Sequence, residues 1–167
     1  MGNLSAAALA LLQEQYRHET SNSLRYFARS SWARFRGFEA TADFFSREAE
    51  GERKHALIVQ KWIEDRNETL IPEPYSYSDS SSFVSFNDLF SSALEVERLT
   101  TAMLNAIYGQ ALSDGDYQLV TQVSELVIEQ IEEENLYQTI LDRIQARGND
   151  TSAAHDIDAW IDETYGA

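Results

Sequence analysis

The chain has 167 residues and no cysteine, which removes disulfides, thiolate metal sites and cysteine nucleophiles together. A formal net charge of −15 argues against a nucleic-acid partner, because phosphates are neutralised by Lys/Arg clusters; it suits a protein that attracts cations. Only 2 Pro and 7 Gly, with 43% hydrophobic residues set mostly at helical spacing, favour an all-α fold, and the length fits one domain over residues 1–167 with a sizeable core. No run of about 18 apolar residues is present, so no membrane span is expected. The opening MGNLSAAALALLQEQ has no basic leader and merges into a helix, and with the absence of Cys it reads as a mature cytoplasmic protein.

The first helix is predicted to start near Ser5 as N-cap and to run to about Arg36, with an inward stripe of Leu9, Leu12, Tyr16, Glu19, Ser23, Tyr26, Ser30 and Ala33. Gly37 breaks it, and a second helix follows from about Phe38 to Asn67, antiparallel to the first. Its buried stripe carries Glu52 and His55, three residues apart and stacked on adjacent turns. An unpaired carboxylate is costly to bury, so a Glu-x-x-His pair facing inward asks for a cation.

Residues 68–86 hold both prolines, many serines and no helical period. An unstructured connection of that length needs a reason, and crossing the bundle supplies one: extended chain at ~3.3 Å per residue covers the length of these helices. The third helix, about Asn87–Leu112, would then run parallel to the second. Glu97 interrupts its apolar stripe. The turn Ser113–Asp116 caps a fourth helix reaching about Arg147, where Gln130 and Glu133 invade the stripe. Gly148-Asn149-Asp150 ends it, and Thr151–Tyr165 reads as a short fifth helix, leaving a bundle over about 5–147 and a C-terminal helix over about 151–165.

Each long helix thus carries Glu19, Glu52 with His55, Glu97, or Gln130 with Glu133 near the middle of a buried stripe, and antiparallel packing brings the sets to one level. An oxygen-rich set with one imidazole suits iron or manganese, and four carboxylates have charge for two divalent ions. Against the di-iron carboxylate pattern of two lone glutamates and two Glu-x-x-His pairs, only the fourth helix departs, with Gln130-x-x-Glu133. Tyr26 lies above Glu19, where a core tyrosine's hydroxyl meets a carboxylate.

Glu19 with Ser23 and Tyr26, Trp32 followed by Phe38-Glu39, Glu52-x-x-His55, Leu94-x-x-Glu97 and IEQIEEENLY at 128–137 together resemble the bacterial non-haem ferritins over about residues 10–165. The resemblance implies a ferritin-like four-helix bundle with one long crossover between helices 2 and 3. It implies an intra-subunit di-iron centre in which Glu19, Glu52 and His55 hold one iron, Glu52 bridges, Glu97 and Glu133 hold the other, and Gln130 stands at the O2 side. Tyr26 would hydrogen-bond a ligand and act as a candidate electron donor. The implied function is a ferroxidase that oxidises Fe(II) with O2 or hydrogen peroxide and stores ferric mineral in a hollow homo-oligomeric cage of 24 subunits.

One departure stands out. The family's third iron uses a Glu immediately before the bridging one, where this chain has Gly51, while Glu129 and Glu132 remain. That site is therefore weak, recruits Glu48 or Glu50, or is absent. Haem is not expected: bacterioferritins place a Met beside the bridging Glu, and here Arg53 follows Glu52 while Met1 and Met103 lie elsewhere. The alternatives are a non-storage di-iron oxidase or peroxidase-like bundle, and a shell subunit without ferroxidase activity.

Overall fold

A computed structural model describes residues 3–71, 83–148 and 150–166. Five helices follow in order: α1 (Ala6–Phe35), α2 (Glu39–Glu64), α3 (Phe86–Asp114), α4 (Tyr117–Arg147) and α5 (Thr151–Tyr165). Their starts are written in cap side chains. Ser5, Ser85, Asp116 and Asp150 each accept a hydrogen bond from the backbone N–H three residues on, satisfying a donor the helix cannot. Gly115, at φ 68°, lets α3 run on to Asp114, two residues past the expected end. α2 instead stops at Glu64, short of Asn67, because Asn67 takes φ 58° and Arg66 turns to donate to both carboxylate oxygens of Asp116 at 2.6 and 2.9 Å.

The pairings fix the directions. Ser23 and Ser30 of α1 donate to the carbonyls of Ala49 and Ala42 on α2, so these two helices are antiparallel. Arg29 donates to Ser92 and His18 meets Thr100, so α1 and α3 are antiparallel as well, and α2 and α3 run the same way. That is the expected crossover topology; residues 72–82 of the connection, with both prolines, lie outside the described residues.

Two apolar cores fill the bundle, one at each end. The aromatic one contains Tyr26, Trp32, Phe38, Phe44, Phe45, Phe86, Phe90 and Tyr137, with Ile157 and Ile161 of α5 packed onto it. The other is mostly aliphatic, with Leu12, Val59, Ile63, Leu104, Ile107, Leu119 and Val123 among its fully buried members. α5 is seated by Asp158, whose carboxylate accepts from the Thr41 N–H at 2.8 Å and so caps the first turn of α2. Between the cores the helices bring Glu19, Glu52, Glu97 and Gln130 inward, all buried. No helix among the described residues is long and apolar enough to cross a membrane.

Candidate metal centre

The polar layer is built by helical spacing. Glu52 and His55 sit on successive turns of α2, with His55 Nδ1 3.5 Å from Glu52 Oε2, and Glu19 comes from the antiparallel neighbour α1. One ligand atom from each of Glu19, Glu52 and His55 lies within 4.8 Å of the other two. From the opposite pair of helices, Gln130 donates to Glu97 Oε2 at 2.9 Å and to the Glu97 carbonyl at 3.2 Å. Tyr26 donates to Glu97 Oε1 across the bundle. Glu133, one turn beyond Gln130, lines a small cleft of about 70 Å³ with Glu48, Glu52, His55, Glu97 and Glu129.

The electrostatics of this layer are those of too many carboxylates. Burial first, and then the neighbouring Glu52 charge, push Glu19 well above the usual carboxylate range. Burial raises Glu52 in the same way, with Glu97, Glu133 and Glu48 adding repulsion. Glu97 is also raised by burial, although its bonds from Tyr26 and Gln130 pull it back. Burial and the Glu48 and Glu97 charges carry Glu133 to about 8, and burial and Glu97 carry Glu48 to about 7. Burial and mutual repulsion thus favour the protonated forms of these carboxyl groups, and a bound cation would reverse that preference.

Whether the residues fit a metal is decided by their orphaned atoms. Glu19 Oε2, Glu52 Oε2 and Glu133 Oε2 are buried and accept no hydrogen bond, although buried polar atoms normally have a partner. Gln15, Tyr26, Gln130 and Tyr137 donate to the layer's carboxylates, while Arg47 also lines the cleft. Carboxylate oxygens plus one imidazole, with the cleft's Arg47 donating away to the Tyr165 carbonyl, match a hard or borderline divalent cation. A wider hollow of about 330 Å³ between Trp32, Phe38, Phe86 and Ile157 is larger, but no such carboxylate layer faces it.

The sequence-predicted residues Glu19, Glu52, His55, Glu97, Gln130 and Glu133 fall in this layer, and Tyr26 borders it. Glu129 is half-exposed at the mouth, with Oε1 3.3 Å from His55 Nε2. Glu132 is exposed and does not line the cleft, and Glu50 is exposed as well, paired with Arg53. Gln15 lies outside the stripe as read, and Glu48 enters the sequence reading only as a residue that a third iron could recruit. Gln15, fully buried, donates to Glu19 Oε1 at 2.5 Å. Glu48 accepts from the Tyr137 hydroxyl at 3.3 Å and lines the cleft. Each lies four residues before a site glutamate, Glu19 and Glu52, and that spacing is the signal that finds them.

A family profile for the ferritin-like domain matches residues 9–146. A probable bacterial non-heme ferritin-like protein of Haemophilus influenzae is 28% identical over 147 residues, covering 88% of each chain. A bacterial non-heme ferritin of Staphylococcus saprophyticus is 28% identical over 156 residues, 91% of this chain and 90% of that one. An open pore ferritin from Archaeoglobus fulgidus superposes with a TM-score of 0.88 at 19% identity, over 95% of this chain and 98% of the other.

Proposed function

The chain belongs to the ferritin-like family, and from that premise we propose that it is a ferroxidase and iron-storage subunit acting on Fe(II) within the mid-bundle carboxylate layer. The observation that carries the reading is the cluster of Glu19, Glu52 and His55 at metal-ligand distances, with Glu133 lining the same cleft as Glu52 and His55 and buried oxygens of all three glutamates left without a hydrogen bond. Fe(II) is substrate and cargo here, and when bound it supplies the electrons that reduce O2 or hydrogen peroxide.

The residues do the rest. Glu19, Glu52 and His55 would hold one cation, and Glu97 and Glu133, with Glu52 beside them, would hold a second. Cation binding displaces the protons that the raised carboxyl groups carry, so loading releases acid. The anionic oxygens then favour the more highly charged ferric state, which is how a carboxylate shell lowers a redox potential. Gln130 and Tyr26 orient Glu97 by donating to its two oxygens, and the same two donors keep that carboxylate from swinging to a competing partner. The aromatic core beside Tyr26 keeps that flank of the layer dry, which strengthens the charge interactions inside it.

Storage requires a closed shell, and the family likeness supports a homo-oligomeric cage of 24 copies. Light scattering tests this directly: a hollow assembly of several hundred kilodaltons is expected, against 19.0 kDa for one chain. The catalytic reading is tested by mixing metal-free protein with two Fe(II) per subunit in air, beside Glu52→Ala. A fast ferric absorbance rise that disappears in the variant is the expected result. Equal slow rates in both proteins would refute the centre and leave a shell that holds iron passively.

A further inference from the structure

We infer that Gly51 is an aperture residue: its missing side chain keeps the cleft between α2 and α4 open, and Fe(II) enters and leaves the carboxylate layer there. The inference rests on the metal-centre reading above and deepens it by naming the route.

Glycine inside a helix costs about 1 kcal/mol relative to alanine, so it asks for a reason. A left-handed backbone is not the reason, since the positive-φ glycines of this chain are Gly37, Gly115 and Gly148. Close packing is not the reason either, because a Cβ built on Gly51 meets nothing within 4 Å. Nor does it cap a helix, because α2 continues to Glu64. What remains is the space itself.

Arg47, Gly51 and His55 follow one another at four-residue spacing, so they form a single row along α2. All three line the cleft opposite Glu129 and Glu133 of α4, and Glu52 and Glu97 also line it. Gly51 is therefore the gap in the row, between a guanidinium and an imidazole. Arg47 is tied back by donating to the Tyr165 carbonyl at 2.7 Å, which holds that cation toward α5. The cleft's volume of about 70 Å³ is room for about two water molecules, enough for a partly hydrated ion and too little to spare for a branched side chain. The α1–α3 side offers no comparable way in: Gln15, Asn22 and Thr100 are each at most 1% exposed. Gly109 supplies an internal control, since it is also a helix-interior glycine with nothing near its Cβ position, yet it does not line the cleft.

The test uses the assembled, metal-free protein and Gly51→Leu, Gly51→Ala and Gly109→Leu. Association of Co(II) without oxygen is followed by its visible absorbance in a stopped flow, and Fe(II) oxidation is followed separately in air. Gly51→Leu is expected to slow Co(II) association at least tenfold with an unchanged final stoichiometry, while the other two variants stay within twofold of wild type. Because the chain has no cysteine, Gly51→Cys provides a plug added after folding: a bulky disulfide label should slow uptake, and its reductive removal should restore it. Wild-type rates in Gly51→Leu and in the labelled thiol would overturn the aperture while leaving the centre standing. Normal Co(II) uptake without fast iron oxidation in wild type would refute the ferroxidase reading, and the Co(II) rates would still decide the route. Loss of assembly in Gly51→Ala would overturn it differently, by assigning the glycine to a subunit contact.

Discussion

The two sides of the polar layer use similar residues to opposite ends. On the α1–α3 side neutral polar groups face one another: His18 Nε2 lies 2.8 Å from Thr100 Oγ1 and 3.0 Å from Asn22 Nδ2, and Thr100 donates to the Val96 carbonyl at 3.1 Å. Burial and the nearby Arg25 charge lower His18 to about 4, so it is a neutral, satisfied imidazole. On the α2–α4 side carboxylates face carboxylates across a cleft, and Glu52 Oε2 and Glu133 Oε2 have no partner. Burial alone therefore does not mark a functional residue. What separates the two sides is charge: the α1–α3 side leaves the neutral Gln15 Oε1 without a hydrogen bond, whereas the α2–α4 side leaves carboxylate oxygens so.

That contrast can be broken in order of expected effect. Glu52→Gln keeps the shape and removes the charge that a cation needs, so Fe(II) or Co(II) affinity should fall by roughly 100-fold or more, while the metal-free protein should melt higher at alkaline pH, since a buried carboxyl pressed by Glu97, Glu133 and Glu48 is no longer driven to ionise. Titration and calorimetry read the two halves, and a lower melting temperature would mean that Glu52 stabilises the fold without metal. Next comes pH. Glu48 and Glu133 bind protons more tightly in the fold than in the unfolded chain, so metal-free stability should decline as pH climbs from about 5 through about 7 and about 8. A melting temperature lower at pH 8 than at pH 5.5 by roughly 5 °C or more, with the loss reversed by a divalent ion, is the expected outcome. Tyr26→Phe should then reduce the oxidation rate by roughly tenfold, because Glu97 Oε1 loses its donor; an unchanged rate would show that Gln130 alone positions that carboxylate. Smallest is Thr100→Val on the neutral side, which should cost roughly 1 kcal/mol of stability and leave oxidation within twofold.

The helices and their layer were legible in the sequence because both are periodic. Apolar stripes at 3.6-residue spacing announce the bundle, and Glu19, Glu52, Glu97 and Gln130 announce themselves by interrupting stripes that are otherwise mostly apolar or small. Gln15 and Glu48 were harder, since each lies at the edge of a stripe, where the side chain can turn toward solvent or core and only the packed neighbour decides. The end of α2 was obscure for a similar reason: Arg66 leaves the helix to reach Asp116, fifty positions away, and no local pattern encodes that pairing. The seat of α5 depends likewise on Asp158 capping a helix more than a hundred residues upstream.

The separation of the two apolar cores has a consequence for how the molecule breathes. In most helical bundles fraying proceeds from the ends inward, because the best-packed turns are central. Here the aromatic and aliphatic clusters clamp the two ends, and the middle packs carboxylates that repel one another. Amide exchange in the metal-free protein should therefore be fastest for a buried helix interior around Glu52 and Gln130, with slow turns on either side. A cation bound in that layer would stitch the seam, so metal loading would also set the molecule's rhythm of opening.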